Sequence, residues 1–189
     1  MEWLIVGLGN PGERYARTRH NVGRDAVEAL AARHGIAIDT VRGPARVGTG
    51  TIFGQRVGLV IPTTYMNDSG RGVSPVARFF QVPAERVLVV YDELDLPFGR
   101  LRLRAEGGAG GHKGMRSVAA ALASQAFPRL RLGIGRPPPG WDAADYVLSR
   151  FAPGEREEAA FLIDRAVVAL EDVLGDGLVT AMNRHNVSA

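Results

Sequence analysis

The apolar positions of this chain fall into short blocks that switch between two periods. Residues 3–6, Trp-Leu-Ile-Val, are an unbroken apolar run bounded by glycine and too short for a typical helix, so they predict a buried strand. The run empties into a turn-rich cluster of Gly7, Gly9, Asn10, Pro11 and Gly12, and then into a polar stretch holding Tyr15, His20 and Asn21. Val22, Ala26, Val27, Leu30 and Ala31 next share one face at helical spacing, which predicts a helix starting near His20 or Asn21 and stopping at Gly35. Residues 46–53 and 56–61 are β-like runs about Gly54-Gln55, a predicted hairpin. Residues 61–70 read as loop, with Asp68 or Ser69 placed to cap a helix through Phe80. Pro75 then requires either a place in the first turns of that helix or a start as late as Ser74.

The second half repeats the alternation. Residues 87–91, Val-Leu-Val-Val-Tyr, predict a core strand that ends in Asp92, Glu93, Leu94 and Asp95. Residues 100–104 alternate with period two, so Arg100, Arg102 and Arg104 share one strand face; an edge strand protected by charge and an anion-binding row both fit. A glycine-rich segment, 106–114, feeds a helix with Met115, Val118, Ala119 and Leu122 inward, and residues 130–134 form another strand. A long helix over about 153–174 carries the stripe Phe161, Leu162, Ala166, Leu170 and Leu174 and is ended by Gly175; a last helix covers 176–186. Without repeat, linker or low-complexity segment, the expectation is one α/β domain over residues 1–189. Strands that end in polar loops are how open α/β sheets build sites.

Composition narrows the classes. The 189 residues are 46% hydrophobic and 23% charged, enough for one sizeable core. No apolar run approaches about 18 residues, so no membrane span is expected, and the N-terminus lacks the pattern of a secretory signal. The chain has no cysteine, which removes disulfides and thiolate chemistry. A cytoplasmic protein is the economical reading. Net charge is +3, a weak pointer to acidic partners; Lys113 is the sole lysine, all other basic side chains except histidine being arginine.

Gly7-Leu8-Gly9-Asn10-Pro11-Gly12 spells G-x-G-x-x-G after a strand, which raises a nucleotide-dependent oxidoreductase. A helix starting inside that motif would have only Tyr15 and Ala16 to pack, and the acidic residue wanted about 20 positions on is missing, since Glu28 lies in a helical pattern. The glycines instead let Asn10 and its backbone approach a ligand closely.

Loops 7–21, 61–70, 91–99 and 106–114 supply Asn10, His20, Asn67, Asp92 and His112. There is no G-x-S-x-G elbow, and the four histidines lack the spacing of a helical metal pair. What remains is a histidine acting as general base on water, with a carboxylate to orient it and amides to hold an oxyanion. At a helix start His20 meets the positive end of the dipole, which disfavours its imidazolium. A surface or capping role for His20 is the alternative.

Five segments in order, GLGNPGERYARTRHNVG, PTTYMNDSG, DELDLPFG, GGAGGHKGMRS and RLRLGIGRP, together with the tail DGLVTAMNR, closely resemble the bacterial peptidyl-tRNA hydrolases over essentially the whole chain. The resemblance implies a monomeric α/β fold with a mixed twisted sheet flanked by helices. It implies hydrolysis of the ester between peptide and tRNA, with no metal or other cofactor. By the same resemblance His20 is the catalytic histidine, Asp92 its paired aspartate and Asn10 the nearby loop asparagine. Met66 and Asn67 match the peptide-side contact, Tyr15 a residue near the tRNA 3′ end, and His112 the glycine-rich gate. Arg102, Arg104 and Arg131 match basic positions that clamp phosphate of the acceptor stem. One departure stands out: the family usually reads G-G-H-N-G where this chain has Lys113, a donor only, in place of an amide that both donates and accepts. A non-catalytic RNA-binding protein on the same scaffold is the alternative that Lys113 supports.

Overall fold

The first apolar run is strand β1, Trp3–Gly7, with every residue buried. A strand hidden on both faces needs a neighbour on each edge, and β1 pairs in parallel with β4 (Gln55–Pro62) and β5 (Val87–Glu93). The computed structural model describes residues 1–187. With β2 (Thr40–Val41), β3 (Ala45–Ile52), β6 (Leu101–Arg104) and β7 (Arg129–Gly133) the sheet has seven strands, ordered β2-β3-β4-β1-β5-β7-β6. β2, β3 and β6 run antiparallel to their partners, so the sheet is mixed.

Alternation along β1 sends Trp3 and Ile5 to one face and Leu4 and Val6 to the other. On the first face lie helices α1 (Val22–Arg33), α5 (Arg156–Asp176) and α6 (Leu178–His185); on the second lie α2 (Ser69–Phe79) and α3 (Lys113–Leu122). A short helix, α4 (Ala143–Val147), anchors by Tyr146 on the first face. All five residues of the expected α1 stripe are buried. Gly23 sets how close that helix sits: a Cβ there would fall 2.2 Å from the Val90 carbonyl oxygen. The contact brings the start of α1 onto the end of β5, and so His20 next to Asp92.

Several local expectations shift. The hairpin turn is Phe53-Gly54, not Gly54-Gln55, because Gln55 already pairs with Ile52; both turn residues have positive φ, the geometry that matches strand twist in a two-residue turn. Helix α2 begins at Ser69 and continues past Pro75, which lies beyond the first turn, so an interior N–H bond is missing. Val73, Val76 and Ala77, buried on either side of the proline, hold the helix together. Helix α5 runs through Gly175 and stops at Gly177, whose φ of 91° a side chain would resist. Phe161 is 59% exposed and leaves the buried stripe. Helix α6 starts at Leu178 rather than 176, and neither β2 nor α4 is visible in the hydrophobic pattern. No α-helix begins inside the glycine motif; single 3₁₀ turns at Glu13–Tyr15 and Arg19–Asn21 fill the interval to α1, which removes the dinucleotide arrangement. No helix among the described residues is long and apolar enough to cross a membrane.

Candidate active site

The carboxyl ends of β1 and β5 open into a cleft of about 450 Å³. Asn10, His20, Met66, Asn67, Asp92, His112 and Lys113 all line it, so the four predicted loops do meet. Asp92 is the last fully buried residue of β5, with 2% of its surface exposed. Its Oδ2 lies 2.8 Å from His20 Nδ1 and its Oδ1 2.8 Å from His112 Nε2. One carboxylate thus serves two imidazoles.

The hydrogen-bond pattern distinguishes the two rings. His112 caps α3 by accepting the Met115 N–H at Nδ1, 3.1 Å away, so its hydrogen sits on Nε2 and is donated to Asp92. Both nitrogens of His112 are occupied, which removes it as a base. His20 donates from Nδ1 to the carboxylate, and its Nε2 has no partner among the described residues. A neutral His20 therefore offers a free lone pair to the cleft it lines.

Electrostatics follow from the same contacts. Burial raises the Asp92 pKa, but the charges and hydrogen bonds of His20 and His112 more than offset that and hold it well below the usual carboxylate range. Burial disfavours the His20 imidazolium, whereas Asp92, through charge and hydrogen bond, favours it more, so the pKa lies above the usual histidine value. This reverses the expectation from the helix dipole alone: His20 occupies the 3₁₀ turn before α1, and the carboxylate at 2.8 Å dominates.

Asn10 is fixed from three sides. Its N–H donates to Asn21 Oδ1 at 2.8 Å, its carbonyl accepts from Asn21 Nδ2 at 2.9 Å, and its side-chain Oδ1 accepts the Met66 N–H at 2.7 Å. The amide Nδ2 is left without a partner among the described residues. Asn67 is exposed one position past Met66. Gly114 allows α3 to approach this wall: a Cβ there would sit 2.5 Å from Met66 Sδ. Ala143, Ala144, Val147 and Leu148 supply apolar lining to the cleft.

Three groups able to ligate a metal, on His20, Asp92 and His112, place their nearest ligand atoms within 4.8 Å of one another. Those atoms already face each other in hydrogen bonds, which a cation would have to displace.

The remaining predicted residues stand outside the cleft. Tyr15 is half-buried and packs edge-on against Tyr65, 6.2 Å between ring centroids. Arg102 and Arg104 lie on edge strand β6, opposite Arg131 and Arg129 of β7. Arg131 is not free: its Nε donates to Glu93 Oε1 at 3.1 Å.

Other supporting residues are not apparent from the sequence. Arg19 reaches from the His20 turn to Ser149 Oγ, the Arg150 carbonyl and Glu155, tying that turn to the segment after α4. Arg129 is buried, has no carboxylate partner among the described residues and donates to the carbonyls of Phe127, Gly108 and Gln125, holding the base of the glycine-rich segment. In each case the only sequence signal is an arginine beside an apolar or site residue.

Comparison with known proteins identifies the family and the fold. The family model for peptidyl-tRNA hydrolase matches residues 4–189. A peptidyl-tRNA hydrolase of Chloroflexus aggregans is 55% identical over 97% of this chain and 98% of its own length. One from Mycobacterium ulcerans is 50% identical over 96% and 95%. The crystal structure of the Acinetobacter baumannii peptidyl-tRNA hydrolase, 39% identical, aligns over 98% of this chain and 94% of that one with a TM-score of 0.92. On the family match and these relatives, the chain belongs to the peptidyl-tRNA hydrolase family.

Proposed function

We propose that this enzyme cleaves the ester between peptide and tRNA by activating a water on His20 Nε2. The observation that carries the assignment is the asymmetry of the two histidines: both hydrogen-bond Asp92, but only His20 keeps a ring nitrogen free of partners among the described residues. Asp92 fixes the Nδ1–H tautomer and stabilises the imidazolium that forms as water loses its proton. Hydroxide attacks the ester carbonyl and the tetrahedral oxyanion collapses. The imidazolium returns its proton to the departing ribose oxygen, giving free peptide and tRNA. Asn10 Nδ2, fixed by the grip of Met66 on Oδ1, and the Asn67 amide are the donors assigned to the oxyanion; one such donor is typically worth about 2.7–4 kcal/mol.

The acceptor stem is assigned to the edge of the sheet beside the cleft. Arg102 and Arg104 project from β6 in line with Arg131, and arginine suits bidentate contact with phosphate. Such contacts carry no sequence information, as an enzyme acting on many tRNAs requires. Tyr15 is assigned to the 3′ end. A monomer acting in the cytoplasm goes with this reading.

The test is incubation with diacetyl-lysyl-tRNA, following release of the blocked amino acid and retention of tRNA together. Cleavage is the expected result. Binding without cleavage would make the chain an RNA-binding module on this scaffold.

A further inference from the structure

We infer that Lys113 is an anion-recognising specificity residue, favouring peptides that carry a carboxylate next to the scissile ester. The inference rests on the hydrolase reading above and concerns the same cleft. Lys113 is the only lysine in the chain, and it lines the catalytic cleft. It is the first residue of α3, where the helix dipole disfavours a cation, so its placement works against local stability. Side chains that break a local rule in this way concentrate where function requires them.

Asp92 is engaged by two imidazoles, Glu93 by Arg131, and Asp95 by Arg136. Lys113 is exposed and has no ion-pair or hydrogen-bond partner for its amine among the described residues. It is thus the uncompensated charge of the cleft. On the same wall the Asn10 side-chain amide, in a residue only 6% exposed, also lacks a partner for its Nδ2. Two kinds of donor, the Lys113 amine and the Asn10 amide, line the cleft together.

Position selects the source of the anion. Gly114, the next residue, packs on Met66, and the Met66 N–H is bound by Asn10, so Lys113 stands on the same wall as Met66, which the family resemblance assigns to the peptide side of the ester. The arginines assigned to phosphate are on β6 and β7, outside the cleft lining. A carboxylate on the esterified residue or its neighbour is the anion this wall would meet.

The experiment compares N-acetyl-glutamyl and N-acetyl-glutaminyl esters carried on one and the same tRNA, which differ only in the side-chain charge. Wild-type enzyme should show kcat/KM about fivefold higher for the glutamyl ester, the scale of a partly exposed ion pair. Lys113→Gln should bring the ratio to about one, and Lys113→Glu should invert it. A ratio near one in the wild type, or one that survives in Lys113→Gln, overturns the inference while leaving hydrolysis itself intact. Equal loss on both esters with a weaker salt dependence would also overturn it, assigning Lys113 to tRNA phosphate. Failure to cleave either ester would instead refute the hydrolase reading.

Discussion

Replacing Asp92 by Asn tests how the two histidines divide one carboxylate. The ring of His112 is pinned by the Met115 N–H on Nδ1, so its Nε2–H continues to seek an oxygen. The new side chain has one oxygen, which turns to His112, and its NH₂ then faces His20 Nδ1. That donor forces the His20 hydrogen onto Nε2, the atom that must accept a proton from water. The charge-assisted bond lost between Asp92 and His20, 2.8 Å long, is worth about 1.5–3 kcal/mol, which sets a fall in kcat of about 10- to 150-fold. Loss of the carboxylate also leaves burial as the main influence on His20, so its pKa drops and the acid limb of the pH profile moves down. The assay is single-turnover hydrolysis of diacetyl-lysyl-tRNA from about pH 5 to about pH 9, a range that brackets histidine titration. Removing His112 in the Asp92→Asn background frees the amide to turn its oxygen to His20, so the double variant should be faster than the single one. An unchanged kcat in Asp92→Asn, or an acid limb that moves up, would refute this reasoning.

Other consequences are more local. Arg102→Ala together with Arg104→Ala should raise KM several-fold with little change in kcat and flatten its salt dependence, whereas Arg131→Ala should have the smaller salt effect because Glu93 already neutralises it; titration of KM against salt checks both. Asp25 on α1 has its pKa pushed up to about 6 by burial and by Glu28, against the opposing pull of Arg24 and Arg17. Between the unfolded value of 3.8 and about 6 the native state holds the extra proton, so stability falls as pH rises through that window. Asp25→Asn should therefore stabilise the protein at neutral pH by about 1–3 kcal/mol and remove that fall, as read by urea unfolding at several pH values. Asn186 accepts the Leu103 N–H and donates to its carbonyl, both at 2.8 Å, in place of the strand that edge β6 lacks. Asn186→Ala should cost about 1–3 kcal/mol of unfolding free energy and weaken tRNA binding through β6; an unchanged denaturation midpoint would contradict it.

How much of this was legible in the sequence depends on the kind of signal. Continuous apolar runs such as residues 3–6 and 87–91 predict buried strands because nothing else of that length hides its whole surface, and both are core strands here. The loops that follow them carried the site, and ordered motifs identified the family. Partnership was less visible. That Asp92 is shared between His20 and His112 depends on the start of α3 reaching the end of β5, a tertiary fact that no spacing encodes. The direction of the His20 pKa is hidden from the sequence for the same reason, since a dipole is local and a carboxylate 72 residues away in the chain is not. Boundaries failed where packing overrode local preference, as at Pro75 inside α2 and at Gly175 inside α5.

One imidazole, His20, is proposed to remove the proton from the attacking water. The most direct test of this step is His20→Ala measured two ways, by release of diacetyl-lysine from tRNA and by the affinity for the same tRNA. Turnover should fall by at least about 100-fold, the lower range of general-base catalysis, with affinity close to that of the wild type. Turnover within a few-fold of wild type would contradict it.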